Sequence, residues 1–133
     1  MCASRTWRSA TIATSVCGIV LSDQMTLDRL RVHHNGFSPS LFEVEGYGID
    51  LDESSNLTVS NNEVYHNGPD PRSPVSVGTG INGYQIRQSV IRNNRSYDNI
   101  GGGILVEDST NVLVEGNEVF DNDLDVTADE WWD

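Results

Sequence analysis

The sequence predicts an all-β fold, a right-handed parallel β-helix (solenoid) of about four to five coils. Three observations predict it. A unit recurs along the chain, each unit holds short stretches in which apolar and polar residues alternate, and polar residues recur at fixed places in every unit. Alternation with a period of two is typical of strands, because successive side chains of a strand point to opposite faces. A repeated unit whose residue types stay in register favours coils stacked in parallel.

The repeat becomes visible when the chain is aligned on its glycines and asparagines. In three units, 19 positions separate an opening glycine from a closing asparagine, and the first unit, taken from Gly18 to Asn35, is two positions shorter. Apolar residues such as Ile49 and Leu51 alternate with polar ones, so we expect them to fill the interior. The third unit has smaller residues at the inward positions, namely Gly83, Ser89 and Ser96. The four aligned units are residues 18–36, 48–68, 80–100 and 103–123.

Two columns of polar residues run through the aligned units. The column five positions before the closing asparagine consists of Asn62, Asn94 and Asn117, and Leu30 interrupts it in the first unit. The column eleven positions before it consists of Gln24, Asn56, Gln88 and Asn111. Asparagine tolerates a left-handed backbone, and stacked amides can bond one another from coil to coil. We therefore expect both columns at solenoid corners; a β-sandwich, the alternative fold, would not explain the register.

Two longer connections and two short ends complete the predicted organisation. Nine extra residues at each of two equivalent corners, 37–45 and 69–77, would form the wall of a groove, because loops on a rigid scaffold commonly carry binding residues. Stacked coils also have open edges that invite pairing, so we expect an oligomer or adjoining β-helix coils at the ends. The predicted segments are an N-terminal edge or cap (1–17), the β-helix repeats (18–123) and an acidic, tryptophan-containing tail (124–133).

The stretch GYGIDLD, at the start of the second unit, carries two acids on one side of a predicted strand. If the intervening isoleucine and leucine point inward, Asp50 and Asp52 point outward together. The repeat then places Asn82 beside Asp50, and it places Tyr84 beside Asp52, about 5 Å from one coil to the next. The predicted groove floor consists of Tyr47, Asp50, Asp52, Asn82, Tyr84 and Glu107.

These residue types suit a sugar polymer. Tyrosine rings stack on sugar rings, and their hydroxyls can act as acid or base. Paired carboxylates can share a proton or bind calcium. Arg87, in the third unit, can grip a uronate carboxylate with its two-pronged guanidinium group, although pairing with the protein's own acids is the alternative. Outward acids on a strand are often only solvated, so a structural role is the alternative for the whole face.

The stretch GYGIDLDESSNLTVSNNEVYHNG, followed by GYQIRQSVIRNNRSYDN, resembles the catalytic module of the mannuronan C5-epimerases, right-handed β-helix proteins that act on alginate. That family carries a Tyr-Gly-Phe/Ile-Asp-Pro-His-Glu signature on a groove strand, which corresponds here to Tyr47 through Glu53. The resemblance implies abstraction of the C5 proton of a uronic acid while its carboxylate is neutralised. A proton then returns from the opposite face or, in lyases, the 4-linked sugar is eliminated. The predicted catalytic residues are Tyr47, Asp50 and Asp52, and the predicted substrate-binding residues are Asn82, Tyr84, Arg87 and Glu107.

The chain departs from the family pattern at three places. Leu51 and Asp52 stand where the signature has proline and histidine, no acid stands near Tyr84, and residues 100–102 stand where the family has a further histidine. Imidazole is the usual general base near neutral pH. Several interpretations therefore stay open: an altered epimerase or lyase that uses tyrosines with the acids, a carbohydrate-binding module without activity, a purely structural repeat, and an incomplete module.

The charge of the chain excludes some partners. Its 20 acids outnumber its 8 bases, the net charge is −12, and every base is an arginine. Because no basic stripe is present, we expect neither nucleic acid nor an anionic membrane as a partner, and an acidic polysaccharide remains the expected one. Cys2 and Cys17 lack metal-type spacing, so no metal ligands are predicted, and calcium is the one cofactor considered. We expect an extracellular location. Because the N-terminus lacks the apolar run of a signal peptide, the chain is expected to reach that location as part of a larger protein.

Overall fold

The computed structural model describes residues 10–11, 17–35, 46–68 and 78–123. Within each described stretch, short strands are separated by two to six residues of turn. The predicted loops 37–45 and 69–77, the tail 124–133 and most of segment 1–17 lie outside these ranges. The strands are β1 (Ala10–Thr11), β2 (Cys17–Val20), β3 (Thr26–Asp28), β4 (Arg31–His33), β5 (Ile49–Asp52), β6 (Thr58–Ser60), β7 (Glu63–Tyr65), β8 (Ile81–Tyr84), β9 (Arg87–Arg92), β10 (Arg95–Tyr97), β11 (Ile104–Glu107), β12 (Thr110–Glu115) and β13 (Glu118–Phe120).

The strands stack into three parallel sheets, one for each side of a coil. Sheet A has the order β1-β4-β7-β10-β13, sheet B the order β2-β5-β8-β11, and sheet C the order β3-β6-β9-β12. Each strand pairs with the equivalent strand of the next coil, and every pairing among the described strands is parallel. The predicted all-β parallel β-helix of about four coils is therefore confirmed, and a sandwich of antiparallel sheets is excluded.

Strand register corrects one detail of the sequence alignment. Gly18 pairs with Asp50 rather than standing level with Gly48, and Cys17 pairs with Ile49. The alignment set Gly18 level with Gly48, but Gly18 lies two positions further along its coil, inside β2, which begins at Cys17. The first coil is therefore not two positions shorter than the second. The backbone hydrogen bonds and the inward side chains set the register. Gly18 is exposed and belongs to an outward column, so it is not equivalent to the opening glycines of the other units, which are buried.

The core is a column of aliphatic side chains inside the coils. In the second coil Ile49, Leu51 and Val64 are fully buried. The third coil does have small inward residues, as predicted: Gly83 is buried, and Ser89 and Ser96 are at most 1% exposed. The fully buried Ile86 compensates for Gly83, because its Cδ1 lies 2.9 Å from where a glycine Cβ would stand.

Two asparagine ladders hold the coils in register. In one of them, the Asn94 Oδ1 accepts hydrogen bonds from the main-chain N–H and the Nδ2 of Asn62, both at 2.9 Å. Asn94 Nδ2 donates in turn to Asn117 Oδ1 and to the main-chain carbonyl of Val59, both at 3.0 Å. The predicted amide column is therefore confirmed as a continuous chain of hydrogen bonds, buried between Asn62 and Asn94 and partly buried at Asn117, which is expected because buried polar groups need partners. The second ladder consists of the closing asparagines Asn35, Asn67, Asn99 and Asn122.

Left-handed residues turn the chain at the corners between strands. The predicted polar column adopts this geometry at every member, with φ between 49° and 59° at Gln24, Asn56, Gln88 and Asn111. Other corners were not predicted. Leu21, Arg29 and Glu53 adopt positive φ at these corners, although residues of these types rarely do so. Coil-to-coil main-chain bonds, such as Leu21 N–H to the Asp52 carbonyl at 3.2 Å, fix these corners against their local preference.

Candidate functional site

The predicted groove floor lies on the outer side of sheet B. Asp50 pairs with Asn82, and Asp52 pairs with Tyr84. The two columns continue on β11, where Leu105 follows Asn82 and Glu107 follows Tyr84. The sequence therefore predicted both columns correctly. We call this outer side of sheet B, with Tyr47, Asp50, Asp52, Asn82, Tyr84 and Glu107, the groove face.

Asp50 is the most perturbed acid of the groove face. Its side chain is largely buried, and burial raises the pKa of the carboxyl group because the charged form is desolvated. A hydrogen bond of 2.9 Å from Asn82 Nδ2 to Asp50 Oδ1 lowers this pKa in part, and the charge of Asp52 raises it further. Asp50 consequently holds a proton at higher pH than an exposed aspartate does.

Space remains open beside Asp50 on the side of the first coil. The residue stacked there is Gly18, which is exposed. A Cβ added at Gly18 would meet nothing within 4 Å. Asp50 is thus held by Asn82 on one side, and on the other side it adjoins a notch that no side chain of the described residues fills.

Asp52 carries an unsatisfied acceptor. Its Oδ1 atom is buried and makes no hydrogen bond, and it is the one such side-chain atom among the described residues. Buried acceptors without partners are rare in folded proteins, and functional sites are one place where they occur. Tyr84, on the next coil, is 37% exposed, and its hydroxyl accepts a hydrogen bond from Gln85 Nε2 at 3.0 Å. A ligand hydroxyl could donate to this oxygen, beside the exposed ring of Tyr84, only after the Asp52 side chain turns outward.

The other predicted site residues lie at the margins of the groove face. Tyr47 is half-buried and lies two residues before β5, while Glu107 is exposed at the end of β11. Arg87 lies beyond the corner, as the first residue of β9 in sheet C, where it pairs with Thr110. The roles predicted for these residues stay predictions.

The described residues do not form a calcium site by themselves. Calcium takes about six to eight oxygen ligands in proteins. The groove face offers the carboxylates of Asp50 and Asp52, and in the described part of the chain no group of three or more His, Cys, Asp or Glu residues is arranged to hold a metal. An ion at this place would therefore need most of its ligands from water, from a bound sugar or from parts of the chain outside the described residues.

Sheet A carries a column of stacked rings that the sequence interpretation missed. His33, Tyr65, Tyr97 and Phe120 follow one another with ring centroids 4.9, 5.1 and 5.0 Å apart and nearly parallel planes. The signal was present, because each of these residues lies two positions before a closing asparagine. Since the rings face one another, they stabilise the coil stack and do not form an open platform for a sugar.

The histidines lie in this ring column or next to it, and not on the groove face. His33 ends β4, and His34 and His66 occupy left-handed corner positions next to sheet A. Burial lowers the pKa of His34, and the neighbouring His33 and His66 lower it further by charge repulsion. His66 Nε2 lies 3.5 Å from the Asp98 carboxylate. None of the three imidazoles can act as a base on sheet B.

Comparison with known proteins places the chain in a family. Neither a curated protein nor a solved structure matches it. No helix among the described residues has the length and hydropathy needed to cross a bilayer. A family model described as a right handed beta helix region matches residues 3–128, almost the whole chain, and does not single out the mannuronan epimerases. The predicted handedness is thereby confirmed, and the chain belongs to the right-handed β-helix family.

Proposed function

We propose that the groove face binds an acidic polysaccharide of the alginate type and that Asp50 and Asp52 are the centre of this site. The observation that carries the proposal is the pair of outward acids on β5, one with a raised pKa and the other with an unsatisfied buried oxygen. Perturbed acids in a cleft are typical of functional sites. The exposed Tyr84 ring beside them supplies the stacking surface that sugar recognition commonly uses.

The charge of the protein makes the raised pKa of Asp50 important. A chain with net charge −12 repels a polyanion, and an ionised Asp50 would add to this repulsion. When Asp50 holds a proton, its O–H can donate a hydrogen bond to a uronate carboxylate that enters the notch beside Gly18. Binding of polymannuronate is therefore expected to strengthen as pH falls toward the pKa of Asp50.

The same arrangement supports C5 chemistry on a uronic acid. Protonated Asp50 would neutralise the sugar carboxylate and so acidify its C5 proton. The Asp52 carboxylate, or Tyr47 as its phenolate, would take that proton, and the carbanion would then accept the hydroxyl proton of a tyrosine on the opposite face, which inverts C5. Exchange with water would return both groups to their starting protonation. In the lyase alternative, the electron pair instead forms a double bond between C4 and C5 and expels the oxygen of the 4-linked sugar, which takes the tyrosine's proton and leaves as a hydroxyl.

Incubation with polymannuronate, with and without calcium, tests this proposal. Conversion would appear as new C1/C5 signals in the NMR spectrum, and elimination would appear as absorbance of unsaturated chain ends. Asp50→Ala, which removes the donor, is expected to abolish conversion, while Asp108→Ala, which changes an exposed acid at the next corner, should leave it intact. Absence of both conversion and binding would dismiss the proposal.

A carbohydrate-binding module without activity is the second candidate. It is favoured by the position of the described histidines, which lie on sheet A, so that the groove face lacks the imidazole that usually serves as a base. This candidate predicts binding without any product. Tyr84→Ala should weaken binding about 2- to 10-fold, the effect of losing one aromatic stacking partner. A purely structural repeat would show neither binding nor conversion.

A further inference from the structure

Among the described residues, no strand covers the interior of the β-helix beyond the last coil. Val114 pairs with Ile91, which is fully buried, and yet Val114 itself is 46% exposed. Val119 pairs with Ser96, which is also fully buried, and Val119 is 49% exposed. These side chains point into the solenoid and find no coil above them among the described residues. A cavity of about 470 Å³ lies there, lined mainly by Ile104, Val106, Val114, Asn117 and Val119. We call this surface the open end.

The asparagine ladders also stop at the open end. In the third coil the main-chain N–H of Asn94 donates to Asn117 Oδ1 at 2.9 Å, and that of Asn99 donates to Asn122 Oδ1 at 3.2 Å. The equivalent N–H groups of Asn117 and Asn122 have no acceptor among the described residues. The open end therefore requires an occupant that brings apolar side chains and two carbonyl or amide oxygens.

Phe120 adds a third requirement. It is the last ring of the aromatic column, so one of its faces has no ring stacked on it among the described residues. The ring is 39% exposed. Because successive rings in this column are about 5 Å apart, one strand spacing, a further aromatic ring would fit in line with the column.

We propose that residues 124–133 pack across the open end and cap the β-helix. The main-chain N–H of Asp123 donates to the Gly101 carbonyl at 3.0 Å, so the chain leaves the last coil at the rim of this surface. The following sequence alternates Leu124, Val126 and Ala128 with polar residues, and Trp131 and Trp132 come next. This segment supplies apolar side chains for the cavity, main-chain carbonyls for the two N–H groups and indole rings for the face of Phe120.

The segment is long enough to cross the open end. Eight residues lead from Asp123 to Trp131, and an extended chain of that length spans up to about 26–29 Å. The longest side of the last coil is β12, whose six residues span about 20 Å. The tryptophans can therefore reach any point of the surface.

A second copy of the chain fits the open end less well. Two copies with a net charge of −12 each repel one another. In a head-to-tail stack, the first coil of one copy would lie on the last coil of another. That first coil has Leu30 in the column to which Asn117 belongs, so it offers no side-chain amide there, and its strand β4 already pairs with β1. Head-to-tail stacking of copies would thus leave the Asn117 N–H without an acceptor.

Tryptophan fluorescence of the full chain tests the proposal. Trp7→Phe leaves Trp131 and Trp132 as the two reporters. We expect acrylamide to quench them at least twofold less than in the Val114→Asn variant, which makes the cavity polar. Leu113→Asn is the matched control, because Leu113 is 50% exposed on the other side of the same strand, and it should leave quenching unchanged. Equal quenching in all three proteins would overturn the proposal.

Amide hydrogen exchange provides a second readout that needs no change in the cavity. In the full chain the N–H groups of Asn117 and Asn122 are expected to exchange at least tenfold more slowly than in the Trp131→Ala/Trp132→Ala variant. Equal rates in a variant with unchanged circular dichroism would refute the cap. Protection that rises with protein concentration, together with a dimer in light scattering, would also refute it, because a second copy would then cover the open end.

Discussion

Replacement of Asn94 by alanine should destabilise the β-helix more than any surface change. The Asn94 side chain is fully buried and is the acceptor for two donors of Asn62, its main-chain N–H and one Nδ2 proton. Asn62 is itself 2% exposed, so water cannot replace the lost acceptor. Leaving a buried donor unsatisfied costs about 1–3 kcal/mol. Two such donors lower the free energy of unfolding by about 2–6 kcal/mol, a large share of the ~5–15 kcal/mol that holds a typical domain together.

Urea unfolding followed by circular dichroism measures this loss directly. Glu115→Ala is the control, since it removes an exposed side chain of the next coil and leaves the asparagine ladder intact. The control should lose clearly less stability than Asn94→Ala. If Asn94→Ala lowered the free energy of unfolding by less than about 1 kcal/mol, or by no more than the control, the ladder would not be the element that holds the coils in register.

Three further changes probe the packing and the acids. Gly80→Ala should cost about 1–3 kcal/mol or more in thermal unfolding, because the added Cβ would lie 2.8 Å from the Gly103 carbonyl; an unchanged Tm would contradict this. Asp50 has a raised pKa, so its contribution to stability is greatest at low pH and falls as the pH rises from 3.8 through the pKa of Asp50 in the folded protein. Asp50→Asn should therefore raise the free energy of unfolding at neutral pH; a lower free energy of unfolding at neutral pH would contradict the argument that burial raises this pKa. Asp28 has a pKa lowered by hydrogen bonds from Asn61 and Ser60, so its carboxylate stabilises the protein above pH 3.8, and this stability is lost as the pH falls below that value. Asp28→Asn should therefore be less stable than the native protein near neutral pH, and the difference should shrink in acid; identical acid unfolding curves would refute this.

The groove face could be predicted from the sequence because its two columns are a direct consequence of the repeat. Once the units around Asp50 and Asn82 are aligned, stacking in parallel brings them together, and the structure pairs them as expected. The amide ladder followed in the same way from the recurrence of asparagine. The first coil was harder, because Gly18 resembles an opening glycine although it stacks on Asp50. A single residue type does not define register when the backbone ladder and the core compete with it.

Other features of the site required coordinates. The sequence shows that Asp50 and Asp52 share one side of a strand, but it does not show that one is desolvated while the other has an oxygen without a partner. It also gave no reason to expect a left-handed backbone at Leu21 or Arg29, since these residues disfavour it by about 1–2 kcal/mol when isolated. The stacked neighbours supply that energy, and their contribution is not a local property of the sequence.

The sequence by itself determined the architecture: parallel coils, an aliphatic interior and amide columns at the corners. These follow from the order of residues, because a repeated pattern with a period of two can bury its apolar side only by stacking on its own copies. The tertiary structure alone decided the pairing of the first coil, the unequal environments of the two groove acids and the exposure of inward side chains such as Val114 in the last described coil. These features depend on which atoms of other coils lie next to each residue. Burial, hydrogen bonding and pKa are set by those neighbours and not by the residue type alone.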